Sequence, residues 1–306
     1  MGCGFAQTRS GVVIQFVLLA LAWGSSFLLI KLGLRDLSPM QVVWARMAIG
    51  AAALGLLMLA ARRPIPSDLR VWGHLLVVSM LLCVVPFALF AWAEQFVSSA
   101  LASIFNATTP LLTMLVAGLA LATERLTRQR SLGLGLGFFG VVIIMGPWNG
   151  VGDGAGLAGQ LACLGAATCY ALAFTYLRRF VAGRGLSASA LAFVQVLLGA
   201  AIMAAATPWL AGRPIEQLSG ATILSMLILG VFGTGMAYVW NNNIVTAWGA
   251  ANAAAVTYLS PVVGVILGTV FLAEPLGWHQ PLGASLIILG IMTAHGRLAA
   301  IVPSRV

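Results

Sequence analysis

The chain has 306 residues, of which 61% are hydrophobic and only 8% charged. Soluble domains carry about 25% charged residues, so the composition excludes a soluble globule and places most of the chain in lipid. A formal net charge of +9 would suit a polyanion such as nucleic acid, but the positions of the basic residues argue against that partner.

Runs of roughly 20 apolar residues, enough to cross a hydrocarbon layer about 30 Å thick, predict ten spans. They lie near 11–33, 39–61, 72–93, 97–122, 131–147, 155–177, 187–209, 220–245, 249–273 and 279–301. A segment in lipid has no water to satisfy its backbone, so each span is expected to be an α-helix. The connections near 62–71, 178–186 and 210–219 are too short to form a further domain.

With the N-terminus inside, Arg9, Arg62, Arg63, Arg70, Arg125, Arg128, Arg130, Arg178, Arg179, Arg184, Arg297 and Arg305 fall on the cytoplasmic side. Lys31, Arg35 and Arg213 fall outside, and Arg46 lies within a span. The positive-inside rule therefore places both termini in the cytoplasm. The first apolar run is too long for a cleavable signal and is expected to stay in the membrane. Cys3, Cys83, Cys163 and Cys169 show no metal or disulfide spacing. Neither a metal nor another cofactor is expected.

The second half repeats the first. Residues 106–146 reappear as 257–296: Pro110 matches Pro261, Glu124 matches Glu274, and Gly133, Gly140 and Gly146 fall on Gly283, Gly290 and Gly296. Earlier in each half, Trp23, Gly24 and Phe27 align with Tyr170, Ala171 and Phe174, and FAWAEQF at 90–96 aligns with YVWNNNI at 238–244. Because each copy holds an odd number of spans, the copies are expected to sit in opposite orientations, as in many secondary transporters. The predicted fold class is an all-α membrane protein, two inverted five-helix repeats (1–150 and 151–306) around a central cavity. The Gly-rich stretch at 146–156 reads as the exposed turn between them.

The WGSSF of the first span, the internal Arg46, the ATTPLLT and LATERL of the first half, and the YLSPVVG and LAEPL of the second resemble the ten-helix EamA-type family of the drug/metabolite transporter superfamily. The resemblance covers nearly the whole chain. It implies a basket of helices around a cavity and export of small metabolites, bacterial exporters of aromatic and other amino acids being the nearest analogy. The chain departs from the usual pattern in the asparagine run 241–243, and in Pro275 after Glu274 where the first half has Arg125.

Candidate substrate-binding residues follow from position and chemistry. Asn106, Thr109, Pro110 and Thr113 fall at i, i+3, i+4 and i+7 on one helical stripe, and Thr257, Ser260, Pro261 and Gly264 form its counterpart. Each proline removes a backbone donor and frees a carbonyl, so Pro110 and Pro261, with Pro86, are candidate hinges. The alternative is that the small residues simply allow close helix packing. Arg46 lies roughly 10 Å inside its helix, where it either holds a substrate carboxylate or is satisfied by Glu94, Gln95 or backbone carbonyls. Lys31 is expected to snorkel to water. Trp23, Phe90, Tyr170, Trp240 and Tyr258 offer aromatic surface, with Asn106, Asn242, Asn252 and Thr257 for polar ends. Glu124 and Glu274 read as helix-capping acids, and with no acid at mid-membrane, proton coupling is not expected.

These readings predict a secondary exporter of amino acids, working by alternating access in the bacterial inner membrane. Its partners are a small-molecule substrate and the bilayer. Export of drugs or other organic solutes is the alternative, with a channel or intramembrane enzyme more distant. The Gly133/Gly137 and Gly290/Ala294 pairs suit packing within a monomer, a homodimer being the other option.

Overall fold

A computed structural model describes residues 9–121, 127–146, 154–182, 184, 186–212, 214–249, 253 and 255–295. Those residues are mostly helical and contain no strand. The apolar helices, in chain order, are α1 (Arg9–Gly33), α2 (Pro39–Ala60), α3 (Leu69–Ala93), α4 (Ser99–Ala120), α5 (Arg128–Met145), α6 (Ala155–Val181), α7 (Ala188–Leu210), α8 (Gly220–Trp248), α9 (Val256–Leu272) and α10 (His279–Ala294). Seven of them, α1 to α4 and α6 to α8, are long and apolar enough to cross a membrane. Helices α9 and α10 are shorter apolar helices, and α5 opens on Arg128 and Arg130. Within the predicted ninth span the described helix is Val256–Leu272; α8 runs on to Trp248, and Gly249 ends it at φ 82°, a left-handed φ that suits glycine.

Local sequence accounts for several ends. Ser38 starts α2 with a capping box, its Oγ accepting from Gln41 N–H while Gln41 Oε1 accepts from Ser38 N–H at 2.8 Å, and Pro39 needs no amide partner there. Ser98, Thr127, Ser187 and Ser219 cap α4, α5, α7 and α8 in the same side-chain fashion. Helix α4 is interrupted at Ala107 and Thr108, just before Pro110, whose ring removes the amide that would reach Asn106 O. Its counterpart Pro261 lies buried inside an unbroken α9. The two prolines thus differ: a break forms only in α4.

Three of the described helices carry a widened π-turn, Met80–Val84 in α3, Leu177–Val181 at the end of α6 and Val231–Met236 in α8, the first and last at matching places. In α3 this turn leads directly into the buried Pro86, absorbing the ring where a regular helix would clash.

The packing pairs α2 with α7, α4 with α9 and α5 with α10. Around them α1 packs on α8 as α3 does on α6, α1 on α9 as α4 on α6, and α2 on α8 as α3 on α7. Exchanging the helices of one half for those of the other maps each contact onto another. At the α5–α10 seam a Cβ on Gly140 would lie 2.7 Å from Gly283 O, and one on Gly290 would lie 2.6 Å from Gly133 O. Repeat-related glycines therefore meet crosswise, and the Gly133 face is occupied by α10. The core has one large cluster around α2, α3, α7 and α8, a second around α3, α4 and α6, and a third between α1 and α8.

Candidate functional site

Arg46 is the only described arginine in the interior of a long apolar helix whose side chain is buried, and α2, α3 and α8 supply its surroundings. Its Nε–H donates to Thr234 Oγ1 at 3.0 Å, and its guanidinium carbon sits 3.8 Å from the centre of the Phe87 ring. The π-turn of α8 presents Thr234, whose hydroxyl in turn donates to Leu229 O at 3.3 Å. Neither Glu94 nor Gln95 holds Arg46, as the sequence had allowed; one hydroxyl and one aromatic face do so instead. A cation over a desolvated ring gains about 2 kcal/mol, and a single Nε bond leaves the terminal nitrogens available.

Aromatic side chains continue from this point. Phe90 stands edge-on to Phe27, with centroids 5.3 Å apart, and lies 6.1 Å from Tyr170. Tyr170 packs against both large core clusters, so it marks their junction. Tyr238 of α8 lies 4.0 Å from Cys83 Sγ through its hydroxyl. Arg46, Phe90 and Tyr170, all singled out in the sequence, are thus brought together, and Phe87, Thr234 and Tyr238 join them. The Gly-Thr-Gly at 233–235 was the available sign that α8 departs from regular geometry there.

Trp23 and Trp240 are not in this group. They pack in the α1–α8 cluster, where Trp240 stacks on Phe232 with centroids 6.3 Å apart. Asn106, Thr257 and Tyr258 are half-buried, and Tyr258 leans on the cluster that contains Phe90. Asn242 is half-buried beside Asn243, whose amide donates to Gln15 Oε1 at 2.9 Å. Thr109 is buried, and its Oγ1 has no hydrogen-bond partner. Asn252 and Glu124 lie outside the described residues. The small residues of the α9 stripe serve close packing: a Cβ on Gly264 would meet Ser103 Cβ at 2.6 Å, and one on Gly24 would meet Val263 Cβ at 2.5 Å.

The end predicted to lie outside is tied by polar contacts that sequence reading did not anticipate. Glu274, beyond α9, caps a different helix: it accepts from Ser99 N–H at 2.8 Å, Ser99 Oγ–H at 2.9 Å and Ala100 N–H at 3.0 Å at the start of α4. Asp36 accepts from Ser219 N–H at 2.8 Å and from its hydroxyl at 2.6 Å. Lys31 does not snorkel to water; its Nζ donates to the carbonyls of Glu94 and Val97, the latter at 2.8 Å. At this rim two grooves of about 330 and 590 Å³ open between α2 and α7, and no predicted site residue lines them.

The profile of the EamA-like transporter family matches residues 10–146 and again 157–294. The chain belongs to the EamA-like transporter family. Its relatives in that family include the "Uncharacterized transporter YvbV" of Bacillus subtilis, 26% identical over 96% of this chain and 94% of that protein. The "Uncharacterized transporter YoaV" of the same organism is 23% identical over 92% and 95%. The "Uncharacterized inner membrane transporter YedA" of Escherichia coli is 26% identical over 90% and 87%. A solved structure shares the fold with a TM-score of 0.67, at 20% identity, over 96% of this chain and 99% of that one. With its long apolar helices, this EamA-like chain is a multi-pass membrane protein and a transporter.

Proposed function

We propose that this transporter exports amino acids, preferably with aromatic or other apolar side chains, by alternating access between two inverted five-helix halves, 1–150 and 151–306. The observation that carries the reading is Arg46 seated on Phe87, beside Phe90 and Tyr170, at the junction of the two large cores. A buried guanidinium with terminal donors suits a carboxylate, and the neighbouring rings suit an apolar side chain. Two successive family matches of nearly equal length, the exchangeable helix contacts and the crosswise glycines support the inverted repeat.

In this reading both termini are cytoplasmic, the membrane is the bacterial inner membrane, and the structure is closed at its outer end. Contacts within pairs agree with that topology, since each joins residues assigned to one side: Asp36 with Ser219 and Glu274 with Ser99 outside, His74 with Tyr176 inside. The outer segment of α4 packs on α9 while its inner segment packs chiefly on α6, so the stripes meet outside and part inward of the break before Pro110. The half-buried Asn106, Asn242 and Thr257 then border the inner approach. Export of other organic solutes is the second reading, favoured by the predominance of rings over charges in this cluster.

The test is counterflow in proteoliposomes preloaded with each of a panel of amino acids. Accumulation of labelled aromatic amino acids, reduced by Tyr170→Ala, is expected. Equal signals with empty and protein-containing vesicles across the panel would overturn the amino acid assignment.

A further inference from the structure

Glu94, which the sequence offered as a partner for Arg46, follows the last residue of α3. In the structure it is fully buried, and both carboxyl oxygens lack a hydrogen-bond partner. An ionised carboxylate in that state would forgo all of its usual acceptor bonds in a medium that solvates it poorly, a cost of many kcal/mol. Its surroundings offer little compensation. From α1 comes Lys31, whose ammonium is engaged by the Glu94 and Val97 carbonyls. From α2 comes Arg46, whose Nε donates to Thr234 and whose guanidinium rests on Phe87, without a hydrogen bond to Glu94. Beyond α9 stands Glu274, a second acid, and from α6 comes the thiol of Cys163.

We infer that Glu94 is a proton-binding site, occupied while the outer end is closed and vacated when that end opens, so that outer opening is a proton-linked step. The inference rests on the transporter reading above. The balance is simple: on opening, water reaches the carboxyl, the O–H bond breaks, and the proton leaves to water as hydronium while the carboxylate regains acceptor bonds and the nearby Lys31 charge. On closing, the carboxylate takes a proton back before it is buried. The contacts to be undone are those beside it, Lys31 to the loop carbonyls and Glu274 to the start of α4.

Burial pushes the Glu94 carboxyl well above the usual carboxylate range; Lys31 draws it down, Glu274 raises it further and Arg46 draws it down. The closed state thus binds the proton more tightly than the hydrated open state. Acid favours closure, and between the two affinities a rise of one pH unit favours opening by up to about tenfold.

Infrared difference spectroscopy of the full-length protein in lipid nanodiscs tests this with the proton itself as probe. A protonated-carboxyl band at neutral pH is expected in the wild type, lost in Glu94→Gln and restored, shifted, in Glu94→Asp. A wild-type spectrum matching that of Glu94→Gln at neutral pH, or a Glu94 band titrating near the ordinary value of about 4.3, would overturn the inference. In counterflow, the rate should climb toward tenfold per unit of external pH in the wild type and lose that slope in Glu94→Gln. An unchanged slope in the variant also overturns it. Should no solute exchange at all, the substrate reading fails, and the infrared result still decides the proton site.

Discussion

Replacing Glu274 by alanine should loosen the outer closure and lower stability together. The first three amides of α4 have no partner within their own helix; Ser98 Oγ takes Leu101 N–H at 3.1 Å, and Glu274 takes those of Ser99 and Ala100. Ser99 and Ala100 are fully buried, so water cannot replace the lost acceptor without a local opening. Two stranded backbone donors at about 1–3 kcal/mol each, with the Ser99 hydroxyl free to turn elsewhere, give a loss of about 3 kcal/mol. That is more than a hundredfold in the unfolding equilibrium. Glu274→Gln keeps one acceptor oxygen but turns an amide N–H toward a donor, so about half the loss is expected. The assay is unfolding of the reconstituted protein, followed by a steric-trapping readout of ΔG, with proteolysis at the α9–α10 connection reporting local opening. A Glu274→Ala protein within about 0.5 kcal/mol of wild type, the range of neutral surface changes, would refute the capping argument.

Gly140→Leu inserts a side chain where a single Cβ already meets Gly283 O at 2.7 Å; a loss of about 1–3 kcal/mol or more is expected in the same unfolding assay, while the same change at Gly135, with nothing within 4 Å, should be nearly neutral. Arg46→Met retains length and apolar packing, so folding should survive, since replacing a buried charge by an apolar chain is often tolerated. Counterflow should fall at least tenfold, and an unchanged rate would remove Arg46 from the substrate path. Accessibility labelling of single cysteines should place position 150 outside and position 67 inside; both on one side would contradict the inverted halves.

Much of the fold was legible because it depends on counts and periods. Apolar run length set the helices, and Gly133, Gly140, Gly283 and Gly290 stood out by their fixed spacing. The candidate site was legible only in part. Arg46, Phe90 and Tyr170 were identifiable as charge or aromatic surface in apolar helices, but their grouping with Phe87 and Thr234 was not, because the partners lie up to 188 positions away in the chain. Trp240 matched the same criteria and packs elsewhere, since a helix of uniform hydrophobicity does not announce which face meets protein and which meets lipid.

The sequence by itself determined that this chain is built of apolar helices, that its halves are copies, and which family it resembles, since hydrophobic run length, repeat spacing and motif need no knowledge of neighbours. Only the tertiary structure decided that Glu274 caps α4, that Lys31 turns inward, that Arg46 rests on a ring and a hydroxyl, and that Glu94 is buried without an acceptor's usual partners. Those outcomes turn on which helices approach one another and how closely, and in a chain this apolar the pattern of side chains along one helix carries little record of what stands beside it.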